Sequence, residues 1–183
     1  ERVYVAPGNA GTATEAKCEN VAIAAVDLDG LVGFAREQGV GLTIVGPEDP
    51  LVNGIVDRFR SAGLKCFGPT AAAARLEGSK GFAKDFMARH GIPTAAYGVF
   101  TEVAPAIEFI RAHGAPIVVK ADGLAAGKGV IVAQTALQAE AAVLDMLAGN
   151  AFGDAGHRVV IEEFLEGEEA SFIVMADGRN VLP

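Results

Sequence analysis

Residues 118–133 read VVKADGLAAGKGVIVA, two apolar, β-branched runs around a loop of ten residues. The loop holds three glycines, two lysines and one aspartate. The flanking runs predict two strands, and the glycines would let backbone N–H groups approach a phosphate closely while lysines supply compensating charge. On its own, the stretch predicts either a phosphate-binding loop or a glycine-rich hairpin with solvated lysines.

Neither of the two common phosphate-binding motifs fits this loop. A Walker A loop, GxxxxGK[ST], needs four residues between its glycines and a hydroxyl side chain after the lysine. Here three residues separate Gly123 from Gly127, and Gly129 follows Lys128. A GxGxxG fingerprint is also missing from the loop. Lys120 is more informative, because it ends an apolar run and is therefore expected at the edge of a strand beside the loop.

The first 78 residues alternate short apolar runs with amphipathic segments. The predicted strands are residues 3–6, 42–45 and 65–67, and the predicted helices are residues 27–38 and 51–62. Asp27 is expected to cap the first helix. This alternation predicts an α/β fold, part of a Rossmann-like open parallel sheet with ligands at the carboxyl ends of its strands.

After residue 78 the pattern changes to α+β, with an antiparallel sheet covered by helices. Ser79 is expected to cap a helix that ends at Gly91, with Pro93 beyond it. The further predicted elements are helices at 102–113 and 135–148 and strands at 117–120, 129–133, 158–164 and 171–176. The predicted domains are residues 1–78, a linking helical part at 79–97, a small lobe at 98–163 and the start of a large lobe at 164–183.

The composition excludes several classes of protein. The net charge of −8 is unlike that of a nucleic-acid-binding surface, and no run approaches the roughly 18 apolar residues that span a membrane. Cys18 and Cys66 are far apart in the sequence and form no CxxC pair, so the sequence predicts no zinc site. We expect both cysteines to be reduced thiols in a cytoplasmic protein. The sequence does not determine an oligomeric state; we take a monomer as the working expectation.

Two other segments could accompany the loop in a nucleotide site. In SKGFAKDF (79–86), Lys80 and Lys84 lie one turn apart on one face of a helix near its amino terminus, which favours anions. In VVIEEFLEGEEASF (159–172), an apolar hinge could pair with an adenine edge and an acidic residue could accept ribose hydroxyls. Taken separately, the two segments are better explained as a solvated lysine pair and a solvated acidic turn.

Taken in order, a lysine on a helix, a lysine ending a strand before a glycine-rich loop, and EEFLxGxE resemble the ATP-grasp superfamily. The longer segments VAPGNAGT, LTIVGPEDPLV, FGPTAAAARLEGSKGFAKDF and FGDAGHRVVIEEFLEGEEASF are similar to the glycinamide ribonucleotide synthetase family over nearly all of residues 3–183. The resemblance implies ATP-dependent ligation of glycine to 5-phosphoribosylamine through a glycyl phosphate, in purine biosynthesis. The alternatives are another ATP-grasp carboxylate–amine ligase and a non-catalytic nucleotide-binding module.

The resemblance also implies roles for individual residues. The implied ATP-binding residues are Lys80, Lys120, Gly123, Gly127, Lys128, Gly129, Glu162, Glu163, Phe164, Leu165 and Glu169. The two lysines Lys80 and Lys120 match those on the ATP phosphates, and Glu169 matches the ribose-binding acid. Glu169 is preferred to Glu168 because alternation along a predicted strand puts them on opposite faces. The implied substrate-binding residues, for the sugar phosphate, are Gly8, Asn9, Gly11, Thr12, Gly46, Pro47 and Glu48.

The resemblance further implies that the chain is a fragment. The family begins with an additional strand and glycine loop, and its catalytic residues and Mg²⁺ or Mn²⁺ ligands are expected beyond Pro183. No metal site is therefore expected within these residues, and we expect the 183 residues alone to be inactive.

Overall fold

The computed structural model describes residues 2–124, 129–149 and 157–183. Its elements up to residue 78 are β1 (Val3–Val5), β2 (Cys18–Asn20), α1 (Leu28–Glu37), β3 (Thr43–Ile44), α2 (Glu48–Val52), α3 (Ile55–Ser61), β4 (Cys66–Phe67) and α4 (Ala71–Gly78). A short 3₁₀ turn, Thr12–Thr14, lies between β1 and β2. Strand β1 pairs with β2 and β3 pairs with β4, both in parallel. The predicted parallel α/β pattern is confirmed, although these described strands form two separate pairs.

The predicted helix at 51–62 is wrong, because two helices occupy this region. Gly54 adopts a left-handed conformation, with φ of 86°, between α2 and α3. A residue of this conformation cannot continue a right-handed helix, so the chain turns there and starts again. Helix α3 then buries Ile55, Val56 and Phe59 in a small core with Ala35 of α1.

The elements after residue 78 are α5 (Lys80–Arg89), β5 (Tyr97–Phe100), α6 (Val103–His113), β6 (Ile117–Ala121), β7 (Val130–Ala133), α7 (Ala136–Leu147), β8 (Val159–Glu163), β9 (Met175–Ala176) and β10 (Val181–Leu182). Four strands form one antiparallel sheet in the order β5-β8-β6-β7. The predicted α+β arrangement is thus confirmed. Strand β5 was not predicted, and the strand predicted at 171–176 is reduced to two residues that pair with β10.

One face of the four-stranded sheet carries the larger core. Helices α6 and α7 pack on it with buried side chains that include Ile110, Val143 and Met146. The sheet contributes alternate residues of its two central strands, among them Val119 and Ile161, which are fully buried. None of the helices in the described ranges is long and apolar enough to cross a membrane.

Candidate functional site

Strand register places the polar site residues on the face of the sheet opposite this core. Val119 of β6 faces Ile161 of β8, and these residues belong to the core. Because successive side chains of a strand point to opposite faces, Lys120 and Glu162 lie on the other face. Lys120 is opposite Val160, which is two residues from Glu162, so the two charged side chains are diagonal neighbours across the strand pair.

Glu162 forms a buried ion cluster with two lysines. Its side chain is 9% exposed, and Oε1 is ion-paired with the ammonium of Lys120. The ammonium of Lys84, on α5, lies 2.5 Å from Oε2 and also donates to Thr94 Oγ1 at 2.8 Å. The Lys84 side chain is only 12% exposed. The lysine pair of α5 is therefore not simply solvated, since its second member is a buried counter-ion of Glu162.

The cluster keeps Glu162 ionised. Burial acts to raise the pKa of this carboxyl, because a buried charge loses its hydration. Hydrogen bonds from Lys120 and Lys84 outweigh that effect, and the pKa of Glu162 lies below its usual value. At neutral pH the two lysines and Glu162 together leave one positive charge.

Lys80 lies at the start of α5 and is tied to the opening loop at two points. Its backbone N–H donates to Asp122 O at 3.1 Å, and its ammonium donates to Gly123 O at 3.0 Å. Ser79 caps the helix as predicted, because its hydroxyl accepts a hydrogen bond from Phe82 N at 3.1 Å. The ammonium of Lys80 is thus held at the end of β6, where Lys120 also lies.

A cavity of about 410 Å³ joins these groups. Its lining residues are Glu48, Leu76, Glu77, Lys80, Ala83, Lys84, Met87, Lys120, Leu124, Gly129, Val130 and Glu162. Five of the predicted site residues therefore meet there, and the three lysines come from α5 and β6. Glu48 and Glu77 come from α2 and α4, so the first 78 residues also contribute to this cavity.

The predicted adenine hinge follows directly after β8. Glu163 ends the strand, where its N–H donates to Ala96 O at 2.9 Å and its carboxylate accepts from Ala96 N at 3.4 Å. Phe164 is half-buried and Leu165 is 63% exposed. None of these three side chains lines the cavity as far as the described ranges extend.

The strand predicted to place Glu168 and Glu169 on opposite faces is absent from the structure. Residues 164–174 contain no strand in the structure, so alternation does not separate the two side chains, and both are exposed. The assignment of Glu169 to a ribose stays a prediction that rests on the resemblance. Gly127 and Lys128 lie outside the described residues.

The predicted sugar-phosphate loops both follow strands that pair in parallel. Gly8, Asn9, Gly11 and Thr12 come after β1, whereas Gly46 and Pro47 come after β3 and lead into α2. Asn9 Oδ1 accepts from the N–H groups of Gly11 and Thr12 at 2.8 and 3.0 Å, which closes the first loop on itself. Only the second loop leads directly to a described lining residue of the cavity, Glu48.

Sequence reasoning missed Asn20 in the first loop. Its Oδ1 accepts from Thr12 Oγ1 at 2.7 Å, and its Nδ2 donates to Asn9 O at 2.9 Å. Gly8 has a φ of 80°, and a Cβ there would lie 2.2 Å from Asn20 Cγ, so only glycine fits. The sequence indicates a special backbone position at Gly8, because glycine favours positive φ. It does not indicate the contact of Asn20 with this loop, because that contact depends on β2, which was not predicted.

The described residues offer no group of three or more histidine, cysteine, aspartate or glutamate side chains that could hold a metal ion. The carboxylates that line the cavity are accordingly not arranged as a ligand set. What the residues can do chemically is oppose negative charge with the ammonium groups of Lys80 and Lys120.

The antiparallel sheet, with its core helices on one face and α5 and the lysine-lined cavity on the other, is of the ATP-grasp class. Residues 78–183 match the family model described as phosphoribosylglycinamide synthetase, ATP-grasp (A) domain. Residues 1–77 match the phosphoribosylglycinamide synthetase N domain. The chain therefore belongs to the phosphoribosylglycinamide synthetase family.

Individual relatives agree with this membership. The chain is 71% identical over all of its 183 residues to a phosphoribosylamine–glycine ligase of Escherichia coli O6:H1, of which it covers 43%. The crystal structure of a phosphoribosylamine–glycine ligase from Thermotoga maritima superposes with a TM-score of 0.79 at 32% identity, covering 98% of this chain and 42% of that one. The chain thus spans less than half the length of the relatives it matches.

A more distant structure shares the fold alone. It is the biotin carboxylase domain of a 2-oxoglutarate carboxylase from Hydrogenobacter thermophilus, solved with MgADP, ADP and bicarbonate. Its TM-score is 0.65 at 21% identity, and the match covers 81% of this chain and 34% of that one.

Proposed function

We propose that this chain carries the ATP-binding surface, and part of the sugar-phosphate surface, of a phosphoribosylamine–glycine ligase. In the proposed reaction ATP phosphorylates the carboxylate of glycine, and the amine of 5-phosphoribosylamine attacks the acyl phosphate. The products are glycinamide ribonucleotide, ADP and phosphate, in de novo purine biosynthesis. The observation that carries the proposal is the meeting of Lys80 and Lys120 at one cavity, in a chain of this family.

The electrostatics of the cavity suit the phosphates of a nucleotide. Phosphoryl transfer depends mainly on positioning and on neutralising charge, so ammonium groups held in advance are effective. Lys80 is held by a carbonyl oxygen, and a phosphate oxygen can replace that acceptor without leaving a buried charge unpaired. Lys120 keeps Glu162 as its counter-ion, which holds its ammonium at the cavity rather than in solvent.

Glu48 suits a different part of the reaction. Its carboxylate repels a phosphate but accepts hydrogen bonds from hydroxyl or amine groups. It is exposed and lines the same cavity as the lysines. We therefore assign it to the ribose hydroxyls or the amine of 5-phosphoribosylamine, and leave the phosphate of that substrate to backbone N–H groups of the glycine loops.

A divalent cation is part of the proposed reaction, as Mg²⁺ or Mn²⁺ with ATP. The assignment of its protein ligands to residues beyond Pro183 rests on the family resemblance and stays a prediction. When bound, such an ion would neutralise phosphate charge. We also predict that the protein is a cytoplasmic monomer and that it binds neither nucleic acid nor membrane.

The proposal is tested in the complete protein that carries this chain. ATP binding is measured by calorimetry for wild type, Lys120→Met and Lys65→Met, an exposed lysine outside the cavity. Loss of a charge-assisted contact to phosphate is worth about 1.5–3 kcal/mol, or roughly ten- to a hundredfold in Kd. We expect that weakening for Lys120→Met only.

ADP release is measured in the same protein with glycine and 5-phosphoribosylamine supplied together or singly. Release that requires both substrates is the expected result. A wild-type protein that binds ATP but releases no ADP with both would leave only a nucleotide-binding module. An unchanged Kd in Lys120→Met would remove that lysine from the phosphate site.

A further inference from the structure

Asp122 is a buried carboxylate that joins three elements. It follows the last residue of β6 and is 5% exposed. Its Oδ1 accepts from Gly81 N at 2.5 Å, and both of its oxygens lie within 3.2 Å of Ser79 Oγ. Its Oδ2 accepts from Arg158 Nε at 2.8 Å and Nη2 at 2.5 Å. A carboxylate this buried is retained only with such a full set of donors.

The main chain reinforces the same junction. Lys80 N donates to Asp122 O, and Asp122 N donates to Arg158 O at 3.0 Å, just before β8. Gly81 permits the close approach, because a Cβ there would lie 3.2 Å from Asp122 Oδ1 and 3.3 Å from Val99 Cγ1. The negative charge also lies at the amino terminus of α5, where the helix dipole favours it. The first turn of α5 is thereby fixed to the end of β6.

We propose that Asp122 is a positioning residue that sets Lys80 beside Lys120 for a polyphosphate ligand. The inference rests on the proposed function. Lys80 and Lys120 belong to different elements, and the carboxylate of Asp122 connects the turn that carries the first to the strand that carries the second. Asp122 itself does not touch the ligand, because its oxygens are already engaged by donors from Ser79, Gly81 and Arg158.

The main variant is Asp122→Asn in the complete protein. The asparagine amide keeps one acceptor oxygen but replaces the other oxygen of Asp122 with an NH2 group. This donor would face the N–H or O–H donors that now bond to the carboxylate. We expect the Kd for ATP to rise at least tenfold. The matched control is Glu140→Gln, which breaks another forked arginine pair, Arg111 Nε and Nη2 with Glu140, between α6 and α7 on the core face. The control is expected to change the Kd less than twofold.

A double-mutant cycle separates positioning from general loss of structure. If Asp122 acts through Lys80, Lys80→Met weakens ATP binding at least threefold less in the Asp122→Asn background than in wild type. If the two effects multiply, Asp122 supports the fold only, and the proposal is overturned. An unchanged Kd in Asp122→Asn also overturns it while leaving the proposed function intact. A wild type that binds no ATP overturns both.

A second variant covers the case in which Asp122→Asn does not fold. Arg158 has a side chain that is 48% exposed, and Arg158→Lys keeps the positive charge but loses the forked contact. Ser79 and Gly81 still donate to the carboxylate in this variant. We expect the Kd for ATP to rise about threefold to tenfold, in the range of one weakened charged hydrogen bond. A Kd within twofold of wild type would overturn the proposal.

Discussion

Replacing Lys84 with methionine removes one charge from the ion cluster and keeps the apolar stem of the side chain. Loss of one partner of a buried ion pair costs about 3–5 kcal/mol when the remaining charge is left uncompensated. Here Lys120 still compensates Glu162, so the loss is closer to that of a single hydrogen bond to a charged group. We therefore expect the free energy of unfolding to fall by about 2 kcal/mol at pH 7.

The effect should depend on pH with a defined sign. The pKa of Glu162 is depressed in the folded protein; burial opposes this, but the bonds from Lys120 and Lys84 prevail. A depressed pKa contributes stability above the unfolded value, about 4.3, that is lost as the pH falls through the folded value. Removing Lys84 raises the folded pKa, so the variant loses less stability on acidification. Once the pH falls below the depressed pKa of the folded protein, protonated Glu162 no longer balances the two lysines, and methionine at position 84 becomes neutral or favourable.

Thermal unfolding between pH 7 and pH 3.5 measures this difference. At about 2–4 °C per kcal/mol for a protein of this size, Lys84→Met should lower Tm by about 4–8 °C at pH 7. The gap should narrow as the pH falls through the pKa of Glu162 in the variant toward its lower pKa in the wild type. Lys65→Met, at an exposed position, should change Tm by less than about 2 °C throughout. A gap that stays constant at every acid pH at which the protein still folds would refute the assignment of Glu162 as the partner that Lys84 compensates.

Two further substitutions test the loops of the first 78 residues. Gly8→Ala should lower the free energy of unfolding by about 1–3 kcal/mol, because φ is 80° and Asn20 occupies the space of a Cβ. Chemical denaturation measures this loss, with Gly41→Ala as the control because nothing lies within 4 Å of a Cβ at that position. Equal losses in the two variants would contradict the prediction. Glu48→Ala should raise KM for 5-phosphoribosylamine roughly tenfold and KM for ATP less than twofold, as expected for a lost hydrogen bond to one substrate. Steady-state kinetics of the variant measure both constants. The reverse pattern would assign Glu48 to the nucleotide site instead.

Local signals predicted those features whose physical cause is local. Asp27 and Ser79 were expected to cap helices, and each accepts a hydrogen bond from the backbone three residues later, at 3.0 and 3.1 Å. Strand β6 was predicted from its apolar run because both of its faces are mostly buried. In each case the deciding contacts lie within the segment or follow from its composition alone.

The failures have non-local or single-residue causes. Strand β2 is three residues long and mostly exposed, so neither its length nor its pattern distinguishes it from a loop until it pairs with β1. The left-handed Gly54 divides a segment whose apolar spacing would also suit one helix. At residues 171–174 the apolar run SFIV predicts a strand, but these residues have no strand partner among the described residues and stay exposed.

In the candidate site, too, the sequence predicted local features and missed contacts between distant segments. Helical spacing predicted that Lys80 and Lys84 share a face, but spacing does not say what that face packs against. The buried partner of Lys84 is Glu162, on a strand much later in the chain. Asp122 was visible only as one residue of a glycine-rich loop, because its role depends on Ser79 and Arg158, which approach it from other elements.

The sheet explains why fold and candidate site are difficult to separate. Along β6 and β8, alternate residues form an apolar core on one face, and the opposite face carries Lys120 and Glu162. A slip of β6 by one residue in this pairing would turn Lys120 toward the core and remove Val119 from it, and a slip of β8 would do the same to Glu162 and Ile161. The hydrophobic effect that fixes the register of the core therefore also fixes the pairing of Lys120 with Glu162. The ion cluster, and through it the position of α5, depends on this register, so substitutions in the core face can alter ligand binding without touching the cavity.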